Sequence, residues 1–69
     1  MYNLLYKVNV EKKCEYTVKT IIDVIWGINC KSNGKGQLYL NLYANKMSER
    51  NRIKDQLNNL PYVYKVEAM

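Results

Sequence analysis

Gln37-Leu38-Tyr39-Leu40-Asn41-Leu42-Tyr43-Ala44 is the stretch whose reading sets the fold. Leu38, Leu40, Leu42 and Ala44 take every second place, and Gln37, Tyr39, Asn41 and Tyr43 take the places between. A period of two, with one side apolar and the other polar or aromatic, is the pattern of a strand buried on a single face. Just before it, Ser-Asn-Gly-Lys-Gly at 32–36 is a turn by composition, because glycine and asparagine tolerate the backbone angles a tight reversal needs. A short strand at 28–31 leads into that turn.

Further toward the N-terminus the period changes. Cys14, Val18, Ile21, Ile22 and Ile25 recur at helical spacing, which predicts a helix from about 14 to 26 with Gly27 in the C-cap place. From 3 to 10 the alternation returns, with Leu4, Tyr6, Val8 and Val10 on one side and Asn3, Lys7 and Asn9 on the other. The polar run Glu11-Lys12-Lys13 separates these two elements. On the C-terminal side, Ser48 is a candidate N-cap for a second helix striped by Ile53, Leu57 and Leu60 and stopped by Pro61. A last strand covers 62–67. The order β-α-β-β-α-β is the split βαβ arrangement, so the expected fold class is α+β, a ferredoxin-like sandwich. Right-handed crossovers give an antiparallel four-stranded sheet in the order 4-1-3-2, with both helices on one face and the other face left for solvent or a partner.

Composition narrows the function classes. The 69 residues suit one domain, 1–69, and 48% are apolar, as in a folded globule. Eleven Lys and Arg against six Asp and Glu give a net charge of +5. No histidine is present, which removes the commonest general base and the commonest metal ligand. The six acids are scattered, no serine or cysteine has a base beside it, and solvated surface charge accounts for them; no catalytic activity and no cofactor are expected. No apolar run approaches the ~20 residues that cross a bilayer and no signal peptide is legible, so a cytoplasmic protein with reduced thiols and no membrane insertion is expected.

Residues 21 onward, Ile-Ile-Asp-Val-Ile-Trp-Gly-Ile-Asn-Cys, then Gln-Leu-Tyr-Leu-Asn-Leu-Tyr, then Ile-Lys-Asp-Gln-Leu-Asn-Asn-Leu-Pro-Tyr-Val-Tyr-Lys-Val, resemble an ACT domain. They are most similar to the ACT domain that ends the long ppGpp synthetase/hydrolase proteins, and the ACT-like C-terminal domain of MgtC/SapB-type membrane proteins looks much the same. The resemblance implies a non-catalytic regulatory module that pairs through its sheet and takes a small ligand between the first strand and first helix. The family's ligand-binding loop there has the form Asp-x-Pro-Gly, whereas this chain reads Asn9-Val10-Glu11-Lys12-Lys13-Cys14. Without that glycine a ligand has less access to the backbone.

Three places can carry chemistry. The loops at one end of this topology would gather Lys12, Lys13, Lys31 and Lys35 around the first helix's N-terminus, an arrangement for a small carboxylate or phosphate, although lysines on loops are also commonly just solvated. Cys14 at the same helix start would have thiolate character, or else is a small buried hydrophobe on the stripe with Val18. Cys30 reads as core packing, and a Cys14–Cys30 disulfide is not expected because the two elements start at opposite ends. The open sheet face carries Lys7, Asn9, Gln37, Tyr39, Asn41 and Tyr43, with Lys65 beside them. Such a face suits pairing with a second copy or with a larger protein partner. The alternative is single-stranded RNA, stacked on tyrosines and held by lysines, although only Tyr39 matches an aromatic position of the RNP1 pattern.

Overall fold

The computed structural model describes residues 1–69. In chain order it has β1 (Tyr2–Val10), a single 3₁₀ turn (Lys12–Cys14), α1 (Glu15–Trp26), β2 (Lys31–Ser32), β3 (Gln37–Ala44), α2 (Glu49–Asn58) and β4 (Val63–Ala68). The strands form one antiparallel sheet in the order β2-β3-β1-β4. This is the ferredoxin-like βαββαβ fold in the order that the sequence predicts.

Alternation positions the core. Leu4, Tyr6, Val8 and Val10 of β1 and Leu38, Leu40 and Ala44 of β3 are buried with Val18 and Ile22 of α1, Ile53 and Leu57 of α2, and Val66 of β4. Tyr6 is the largest fully buried side chain, and its hydroxyl donates to the Arg50 carbonyl at 2.8 Å. That bond satisfies the one polar atom the strand carries inward and ties β1 to α2.

Element boundaries differ from expectation at several points; α2 ends at Asn58, so Leu60 packs against the core from the turn beyond the helix and not from its stripe. The expected strand at 28–31 is reduced to Lys31–Ser32. Gly27 closes α1 in the left-handed conformation, φ 68°, and its N–H returns to the Asp23 carbonyl. The chain must then drop from the helix layer to the sheet, roughly 10 Å at ~3.3 Å per residue, which uses up residues 27–30. No backbone hydrogen bond joins those residues to β3. Ile25 is 55% exposed, because the buried line of α1 runs at a spacing of four through Val18, Ile22 and the half-buried Trp26, and Ile25 lies beside that line.

Cys14 stands at the N-cap of α1 and not within it. Ser48 makes no capping bond; its own backbone is already helical, and two backbone bonds, Glu49 N–H to Lys46 and Arg50 N–H to Met47, satisfy the first amides of α2 instead. Tyr62 has φ 66°, so the last strand starts after it, at Val63.

Gly36 is the glycine the fold can least replace. It combines φ 81° with a position where a Cβ would stand 2.9 Å from the Val10 carbonyl oxygen, an atom fixed in the sheet. Gly27 has a similar φ of 68° but open space around it. Gly27→Ala is therefore expected to cost about 1 kcal/mol, from the left-handed backbone alone. Gly36→Ala is expected to cost about 2–4 kcal/mol, since strain and a backbone clash add. Urea unfolding of the two variants checks the order; equal losses would mean that β1 and the turn do not pack as described.

Candidate functional site

The helix-free face of the sheet is graded from one end to the other, and cross-strand register is what grades it. Nearest the β2–β3 turn is a ladder of amides. The Asn33 carboxamide donates to Gln37 at 2.5 Å, Gln37 donates to Asn9 at 3.2 Å, and Asn9 donates to the Lys65 carbonyl at 3.3 Å. The next row runs Lys31, Tyr39, Lys7, Glu67 across all four strands. Here the Glu67 carboxylate sits between two ammonium groups, 3.6 Å from Lys7 and 3.7 Å from Lys65. Lys7 above all, and then Lys65 and the Asn9 amide, hold the Glu67 carboxyl below its ordinary range. Beyond this row exposed apolar side chains alternate with the amides of Asn3 and Asn41. Leu5 lies opposite Asn41, Tyr43 lies opposite Asn3, and the Met69 N–H donates to the Leu5 carbonyl at 2.8 Å. Leu5 is 42%, Tyr43 65% and Met69 66% exposed, whereas Tyr39 is half-buried.

Every residue that the sequence assigns to this face is therefore on it: Lys7, Asn9, Gln37, Tyr39, Asn41, Tyr43 and Lys65. Its apolar end was not legible in full. Leu5 was the available signal, as the one large apolar residue in the polar set of the first strand. Met69 gave none, because it joins the face only through the β1–β4 register.

The loop end is closed by backbone bonds. The Val10 N–H donates to Gly36 at 2.8 Å and the Glu11 N–H to Tyr62 at 2.9 Å, so the three loops do meet. At their junction stands Glu15, the first residue of α1. Its carboxylate accepts from the Gly36 N–H at 2.5 Å and from the Ser32 hydroxyl at 2.7 Å. A chain carboxylate thus occupies the helix start that the sequence reading gives to an external anion, a placement that the helix dipole also favours. The signal that could have revealed it is an acidic residue in the first helical turn.

Lys12, Lys13 and Lys35 are exposed at this end, without ion pairs. Lys31 does not join them. The β2–β3 register places it opposite Tyr39, on the open face, while Ser32 turns toward Glu15. Cys14 is half-buried and Cys30 buried, and both are free thiols. Burial pushes the Cys30 thiol up to about 11, so it is protonated packing at neutral pH. The Tyr64 hydroxyl donates to Glu11, which holds its proton above the ordinary range.

Comparison of the chain with protein-family models, with curated proteins and with solved structures finds no match.

Two outcomes check this geometry. Glu15→Ala should lower stability by about 1–2 kcal/mol, because it leaves the Gly36 amide and the Ser32 hydroxyl without their charged acceptor. Hydrogen exchange at the Gly36 amide should rise in that variant, and unchanged protection would refute the clasp. For Glu67, a folded-state carboxyl held below its ordinary 4.5 contributes stability above that pH, and the contribution is lost as pH falls through the depressed value. Lys7→Met should move the NMR titration midpoint of Glu67 upward; an unmoved midpoint would show that Lys7 is not the cause.

Proposed function

We propose that this chain is a non-catalytic regulatory and protein-interaction module of ACT-like build that pairs with a second copy of itself through its sheet. The observation that carries the reading is one end of the open face, where Leu5 on β1 and its neighbour Met69 just past β4 stand exposed and Tyr43 stands exposed on β3. An exposed cluster of this kind on so small a domain favours association, and tyrosine and methionine are enriched in buried interface centres. Glu67 bridges Lys7 and Lys65 and offsets one of their two charges, which reduces the repulsion between like faces. The ferredoxin-like order and the resemblance from residue 21 onward support the ACT-like part.

A small anion at the loop end would have to compete with Glu15 for the Gly36 amide, which makes that part of the reading secondary. Single-stranded RNA on the same face is disfavoured by Glu67, a carboxylate set among the lysines that phosphates would need. No helix is long and apolar enough to cross a membrane. Two free thiols suit the reducing cytoplasm, which we assign as the setting.

Sedimentation velocity across a concentration series tests the pairing. A concentration-dependent dimer is expected, and Tyr43→Lys should weaken it by at least about tenfold, since a charge replaces an interface anchor. A chain that stays monomeric at millimolar concentration overturns the reading. Binding of a single-stranded RNA that falls steeply with salt would replace it with the nucleic-acid alternative.

A further inference from the structure

The early departure of residues 27–30 from the β3 edge leaves a hollow of about 450 Å³ on the open face. That size falls within the range of small-ligand cavities, which are lined mainly by apolar groups with a few convergent polar ones. Leu5, Ile28, Tyr39 and Met69 supply the apolar lining. Three polar residues line the same hollow, Asn29, Lys31 and Asn41.

None of the three is engaged within the chain. Lys31 makes no ion pair, although Lys7 and Lys65 on the same face do. Asn29 and Asn41 make no side-chain hydrogen bond, whereas Asn9, Asn33 and Gln37 are bonded in a ladder. No carboxylate side chain lines the hollow, so Lys31 is its one charged side chain. A second hollow, of about 400 Å³ beside Trp26, Leu42 and Ile53, differs in this respect, because its Glu49 and Arg52 are paired with each other.

We propose that the open-face hollow is a binding site for a small apolar carboxylate, its body on Leu5, Ile28, Tyr39 and Met69 and its anionic head on Lys31 and the two asparagine amides. One ammonium and two amide donors match one carboxylate. A polyphosphate would need more than one cation. The site lies within one copy and does not rest on the pairing reading. Leu5, Tyr39, Asn41 and Met69 belong to both surfaces, so a second copy seated on the face and a ligand in the hollow compete.

The probe is 4-phenylbutyrate, compared with 4-phenylbutanol, which has the same body and no charge. Amide chemical shifts of the full chain are followed by NMR at pH 7, at a concentration where sedimentation shows the monomer. Saturable shifts are expected at Leu5, Asn29, Lys31, Asn41 and Met69, with the alcohol binding about tenfold more weakly than the acid. Lys31→Met should remove that difference and leave the spectrum folded, and 0.5 M salt should weaken the acid alone. Equal binding of acid and alcohol overturns the proposal, as do shifts confined to Lys12, Lys13 and Lys35 or no shifts at all. A chain that stays monomeric at every concentration yet shows the expected shifts keeps this site and loses the pairing; one that dimerises on concentration but shows no shifts as the monomer does the reverse.

Discussion

Sheet alternation against a single layer of helices is the constraint from which the other features follow. Because β1 and β3 send Leu4, Tyr6, Val8, Val10, Leu38 and Leu40 to one side, the residues between them are committed to the other. A slip of one residue in register would exchange the two sets and place lysines and amides in the core, so the register is strongly specified. The open face is therefore a by-product of core formation. Its grading from amides to charges to apolar groups is then fixed by which residues the register lays side by side.

The brevity of β2 has the largest consequences for function. A full-length strand would have paired more of the β3 edge. As it stands, residues 27–30 are consumed in crossing between layers, and a hollow opens beside Tyr39 and Leu5. The same step places the first paired residue of β2, Lys31, on the open face and not among the loop lysines.

At the opposite end the chain satisfies its own electrostatic demand. A helix start, a glycine-rich turn and nearby lysines create a site for negative charge, and Glu15 fills it while fastening the β2–β3 turn to α1. An internal carboxylate is always present at high effective concentration, so an external anion there faces a competitor that dilution cannot remove. Functional weight therefore shifts from the loop end to the sheet face.

The sequence by itself determined the element order, the fold class, the inward and outward residues of β1 and β3, and the inert character of Cys30, because periodicity and turn chemistry are local and survive without neighbours. Only the tertiary structure decided that Glu67 lies between Lys7 and Lys65, that Glu15 meets Gly36, and that Lys31 and Met69 join the open face. Each of those depends on register between strands far apart in the chain, or on how many residues a layer crossing consumes. No local pattern encodes either quantity; both are set when the core closes.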